Sequence, residues 1–159
     1  MIQKSLIKVM LLITIVFFFS GCGKKDAVTK GVIGEFALNK FSYNDKDLLY
    51  NLNLNIIIFF KNGKVELPKI VDRYKDGLIA DDNEDGTWEL IQVDKKFQIE
   101  IKTKNIYFNK KFDLSFSKTK KNNIVLSLKN SELNLMGEKS YFDYRNNKSF
   151  VDEIIKYTK

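Results

Sequence analysis

The sequence contains no histidine, a single cysteine, a single proline and eight glycines among 159 residues. With no imidazole there is no histidine general base and no ordinary His/Cys zinc site. One cysteine excludes an internal disulfide framework. Scarce proline and glycine, set against thirteen Phe and seven Tyr, exclude a linker or a disordered tail and point to a strand-rich globular domain. The charge balance is only modestly positive: 27 Lys+Arg against 20 Asp+Glu, a formal +7. No local run of basic residues is interleaved with a recognition element, so nucleic-acid binding is not expected. The length fits one domain with a core large enough to fold alone.

The N-terminus has three parts. Lys4 and Lys8 give a positive start, Val9–Phe19 is apolar apart from Thr14, and Phe19-Ser20-Gly21-Cys22 closes the run. The uncharged stretch is too short to cross about 30 Å of hydrocarbon, so it is predicted to be a secretory signal and not a membrane span. Small residues at Ser20 and Gly21 directly before the cysteine resemble a bacterial lipobox. That resemblance implies cleavage between Gly21 and Cys22, a diacylglyceryl group on the Cys22 thiol and an acyl chain on the new amine. Only a thiol takes such a thioether-linked lipid, and two or three acyl chains give stable anchoring. Cys22 is then a tether and not a catalyst. Residues 1–21 are predicted to be the signal peptide, residues 22–30 the lipidated cysteine with a flexible spacer, and residues 31–159 the folded domain. Losing Lys4 and Lys8 lowers the balance to 25 basic against 20 acidic residues. No aspartate follows the cysteine, so an outer membrane, either leaflet, is the expected site.

From Gly31 the pattern is one of strands. Gly34–Leu38 starts a strand with Phe36 and Leu38 on one face; Phe41 and Tyr43 continue in the opposite phase, which predicts a bulge near Asn39-Lys40. Asn44–Asp47 is a turn. Leu52, Leu54, Ile56, Ile58 and Phe60 alternate with Asn51, Asn53 and Asn55, which predicts a half-buried strand; Ile57 and Phe59 fall on the other face, so its far end is expected to be covered on both sides. Asn62-Gly63 marks a hairpin, and Val65, Leu67 and Val71 carry the return strand, which Pro68 places at an edge or bulge.

Asp81, Asn83, Asp85 and Gly86 match the first half of a calcium loop, in which hard oxygen ligands alternate and a glycine allows the sharp turn. The position that needs a bidentate glutamate is Gln92, and turn chemistry accounts for the same residues without an ion. Both readings stand at this point. No other metal or cofactor is expected beyond the lipid on Cys22.

The second half starts with Trp88 and Leu90 on one face. Phe97, Ile99 and Ile101 then alternate with Gln98, Glu100 and Lys102; Phe112, Leu114 and Phe116 alternate again; Leu126/Leu128 and Leu133/Leu135 flank a turn at Asn130-Ser131. The prediction is an all-β antiparallel meander closing into a barrel of about eight to ten short strands. Phe36, Trp88, Phe97, Ile99, Phe112, Leu114 and Phe116 are its expected interior. Ser149 with Asp152 reads as a cap for a short C-terminal helix bearing Phe150, Val151, Ile154 and Ile155 on one face.

Gly34-x-Phe36-x-Leu38 and Gly86-x-Trp88-x-Leu90 share one pattern 52 residues apart. This recurrence, the Asn62-Gly63 hairpin, the acidic turn into Trp88 and the following meander resemble the lipocalin-like lipoproteins of Bacteroidetes-type bacteria, over about residues 31–139. The resemblance implies a lipocalin-like barrel on the cell envelope. The carboxylate pairs Asp81/Asp82, Glu84/Asp85 and Asp152/Glu153 each have a turn or cap explanation, and no nucleophile elbow is present, so no enzyme is expected. The expectation is a non-catalytic envelope lipoprotein that engages a protein or polysaccharide partner; the alternative is a carrier of a small hydrophobic molecule inside the barrel.

Overall fold

The computed structural model describes residues 22–70, 86–140 and 144–159. Helix α1 spans Cys22–Val32. The strands are β1 Gly34–Tyr43, β2 Lys46–Asp47, β3 Ile56–Phe59, β4 Lys64–Glu66, β5 Gly86–Val93, β6 Lys96–Lys102, β7 Lys111–Lys118, β8 Ile124–Lys129 and β9 Leu133–Lys139. Helix α2 spans Tyr144–Tyr157, and a single 3-10 turn lies at Leu49–Asn51.

Every pairing is antiparallel; apart from the two-residue β2, each strand pairs with the next in the chain, and β9 returns to pair with β1, so eight strands close into an up-and-down barrel. The ninth, β2, is a two-residue flap on the end of β1 beyond the reach of β3. Closure leaves no free sheet edge along β1, which an open meander would expose. The predicted bulge is present: Leu38 faces Gly137 while Lys40 faces Met136, so one extra residue on β1 resets its phase. That reset lets Phe36 and Leu38 before it, and Phe41 after it, all point inward. Asn44 and Asp45 both take positive φ, the geometry of the tight turns that join hairpin strands.

Strand β3 corrects one expectation. Its buried residues are Ile57 and Phe59, not Ile56 and Ile58, and Leu54 and Phe60 are exposed. The Asn alternation belongs to the 3-10 turn and the irregular chain after it, where Leu52 alone is buried, in a bridge to Ile70. Within an unbroken apolar run the side-chain period leaves the phase open, and register with β1, Phe36 facing Ile57, decides it.

The inward rows are otherwise as expected. Trp88, Leu90, Phe97, Ile99, Ile101, Phe112, Leu114, Phe116, Leu126, Leu128, Leu133 and Leu135 are all buried in one cluster. The outer face is wet, with exposed charges such as Lys102 bridging Glu89 and Glu100.

Gly137 marks the closest approach at the closing seam. A Cβ there would lie 3.0 Å from both Leu38 Cδ2 and Phe36 Cβ. Gly137→Ala is expected to cost about 1–3 kcal/mol by overpacking, read as a fall of several degrees in the thermal midpoint. An unchanged midpoint would mean the seam is looser than described.

Candidate functional site

The two helices cover one end of the barrel, where β1 begins and β9 ends. Helix α1 corrects the expectation of a flexible spacer at residues 22–30. Its sequence Cys-Gly-Lys-Lys-Asp-Ala-Val-Thr-Lys-Gly-Val is polar on average, but Ala27, Val28, Gly31 and Val32 recur at the spacing of one helical face. Val28 and Val32 are fully buried, and Ala27 packs against the same core. Gly31 permits the contact: a Cβ there would meet Ile154 Cδ1 at 3.1 Å and Phe116 Cζ at 3.2 Å.

Helix α2 supplies Val151 and Ile154, both fully buried, with Phe150, Ile155 and Tyr157 packed around them. It starts at Tyr144, five residues before the expected cap, so Ser149 lies inside the helix with an exposed side chain. Docking of the Val151/Ile154 stripe holds the helix, and its polar first turn follows without needing Ser149 as a cap. Two polar contacts fasten it to β7: the Phe116 amide donates to Thr158 Oγ1 at 3.1 Å, and Lys118 pairs with Asp152 at 2.5 Å.

Lys139 joins the helices to the barrel. It follows Leu133, Leu135 and Gly137 in the inward phase of β9, so its side chain enters the covered end. Its Nζ donates to the Gly31 and Ile33 carbonyls, 2.7 Å each, and lies 5.2 Å from the centre of the Phe36 ring. These carbonyls end α1, where a cation complements the helix dipole. Burial pulls the Lys139 pKa down to about 8. This residue is absent from the sequence-based site; the signal for it was a lysine at inward parity on a strand.

The interior is lined as predicted, and large side chains occupy it. Phe59 meets Phe36 edge-on at 6.3 Å and Trp88 at 5.4 Å, so the aromatics of the two Gly-x-aromatic-x-Leu motifs flank one phenylalanine. The Trp88 indole donates to the Phe60 carbonyl at 3.0 Å and its amide to the Gly63 carbonyl at 2.7 Å, tying β5 to the tip of the β3–β4 hairpin. Toward the other end Phe41 stacks on Phe108 at 5.6 Å and Tyr43 meets Tyr107 at 4.9 Å, so the β6–β7 loop fills that opening. Lys110 bonds Glu132, which raises the lysine pKa and lowers that of the carboxylate.

The remaining candidates fall as follows. Cys22 is the first residue of α1; Gly21, Asp81, Asn83 and Asp85 lie outside the described residues. Among the described residues no group of three or more His, Cys, Asp or Glu side chains converges to hold a metal. Asp152 is engaged by Lys118, and Glu153 accepts from the Tyr157 hydroxyl at 2.6 Å, a bond that raises the tyrosine pKa. A cleft of about 350 Å³ is lined by Lys40, Ser42, Asp45, Asp47, Ser131 and Glu132, and the Ser42 hydroxyl donates to the Asn134 carbonyl. No known family model matches the sequence, and no curated protein matches it.

Proposed function

We propose that this protein is a non-catalytic, lipid-anchored lipoprotein of the cell envelope, in which a lipocalin-like barrel serves as a binding or structural module. The observation that carries this reading is the place of Cys22. It closes the apolar run Val9–Phe19 with Ser20-Gly21 directly before it, the pattern suited to take the lipid, and it is the first residue of α1. An outer membrane is the proposed location, and a protein or polysaccharide of the envelope the proposed partner. The packed aromatics Phe36, Phe59, Trp88, Phe41 and Phe108 favour a filled barrel that binds through its outer face and loops over a carrier with an internal ligand.

The test is metabolic labelling with an alkyne analogue of palmitate in a bacterial host. The wild-type chain is expected to incorporate label and Cys22→Ser to incorporate none. Absence of label in the wild type, or equal label in both, would refute the anchor.

A further inference from the structure

Lysines that are scattered in sequence meet on the helix-covered end of the barrel. Helix α1 exposes Lys24, Lys25 and Lys30, and α2 exposes Lys148 and Lys156. The turns on this side add Lys95 and Lys96 between β5 and β6, and Lys120 and Lys121 between β7 and β8, all exposed. Three contacts bring the start of α1, the end of α2 and the β5–β6 turn together. Lys24 lies 5.6 Å from the Tyr157 ring, Lys95, Lys96, Thr158 and Lys159 border one cleft of about 230 Å³, and Thr158 is bonded to β7. Asp152 is paired with Lys118, and the carboxylates that oppose the lysines are Asp26, Asp94, Glu153, which keeps its charge while accepting from the Tyr157 hydroxyl, and Asp113, which borders the same cleft as Lys95 and Lys96.

This is also the end that carries Cys22, the proposed lipid site, at the start of α1. The apolar run Val9–Phe19 stops three residues before α1, and α1 is docked on the barrel through Val28 and Val32. The lipid proposed on Cys22 would sit on the first residue of the docked helix. At 1.5 Å of rise per residue, the buried Val28 lies only about 9 Å along the helix from Cys22.

We infer that the lysine-rich, helix-covered end is a second membrane contact, which lies on anionic lipid headgroups and fixes the barrel with that end down and the Tyr43/Tyr107 end facing away. The occupant is an anionic lipid surface because the charges are predominantly positive, spread over a broad face and placed beside the proposed anchor, and each lysine near such a surface strengthens binding severalfold. The inference deepens the envelope reading and depends on it only for orientation, since the electrostatic contact needs no lipid on Cys22.

The test uses a chain starting at Gly23, which lacks the anchor. The closed cylinder runs from Gly34 to Lys139 and both helices lie within Cys22–Lys159, so this chain keeps the fold save for the first helical residue. Partitioning is measured on vesicles of equal parts phosphatidylcholine and phosphatidylglycerol, and on phosphatidylcholine alone. Binding is expected to the anionic vesicles only, and to fall steeply between about 0.1 M and about 1 M salt as the Debye length shrinks from about 10 Å to about 3 Å. Reversing Lys95, Lys96, Lys120 and Lys121 to Glu is expected to weaken it on the order of a thousandfold or more. Lys40→Glu with Lys46→Glu, on the β1–β2 turn side, is the control and is expected to change it less than about threefold. No binding to anionic vesicles, or an equal loss in the control, would overturn the inference. Failure of palmitate labelling alongside retained vesicle binding would instead remove the anchor and keep the face.

Discussion

Replacing Trp88 by alanine is expected to destabilise the domain by about 3–5 kcal/mol, a large share of the total stability of a domain this size. The ring is buried and packs edge-on against Phe59 at 5.4 Å. Its position gives the loss more than local consequence. Strand β4 pairs with β5 through only Lys64↔Thr87 and Val65↔Gly86, and with β3 through only two residue pairs. This is the thinnest part of the cylinder, and the two hydrogen bonds from Trp88 to the hairpin carbonyls reinforce it. Trp88→Phe separates the contributions. It keeps most of the apolar contact and loses only the indole bond, and because the Phe60 carbonyl still accepts from the Gly63 amide the expected cost is about 1 kcal/mol. Urea unfolding checks both, with a lower midpoint at unchanged slope. A loss below about 1 kcal/mol for Trp88→Ala would show that β3 and β4 hold without the bridge.

The second large effect is a rise of stability with pH. Lys139 titrates near 8 in the folded chain, against 10.5 for a free lysine, because burial disfavours its charge. A lysine whose folded pKa is depressed costs stability while charged, and that cost is relieved as pH rises from the folded to the unfolded value. Below pH 8 the cost is about 3 kcal/mol. Unfolding free energy is therefore expected to rise by about 2 kcal/mol between pH 7.5 and 9.5, before tyrosines ionise. Lys139→Met should flatten that rise while losing the bonds to the Gly31 and Ile33 carbonyls. Urea midpoints across this range give the answer. A wild-type curve flat to pH 9.5 would mean that the two carbonyls and the Phe36 ring hold the ammonium charged despite its burial.

The barrel could be read from the sequence because most strands obey a strict period of two. Phe97–Lys102 and Phe112–Phe116 alternate without interruption, and Asn62-Gly63 and Asn130-Ser131 fix where the chain reverses. The phase change from Leu38 to Phe41 disclosed the β1 bulge, since only an inserted residue keeps both sides of Asn39 facing the core. Strand β3 was misread because Ile56–Phe60 is apolar on both sides, so the pattern held no phase information and the Asn residues beside it belonged to non-strand backbone. Helix α1 was missed because its apolar face is only Ala27, Val28, Gly31 and Val32, and the lysines and polar residues between them hide a stripe that the covered barrel end then buries. Of the site, Cys22 is proposed from its local motif alone. Lys139 and the lysine-rich face were not legible in the sequence, because they arise when β9, the turns and both helices converge, and no short stretch of chain holds them together.

The most direct test of the anchored barrel is the intact mass of the native full-length product extracted from its host membrane. The account expects a chain beginning at Cys22, with 138 of the 159 residues retained, heavier than the bare polypeptide by a diacylglyceryl group and an amide-linked acyl chain, all of the excess on the N-terminal peptide. A mass equal to the bare chain, or one that retains Met1–Gly21, would contradict it.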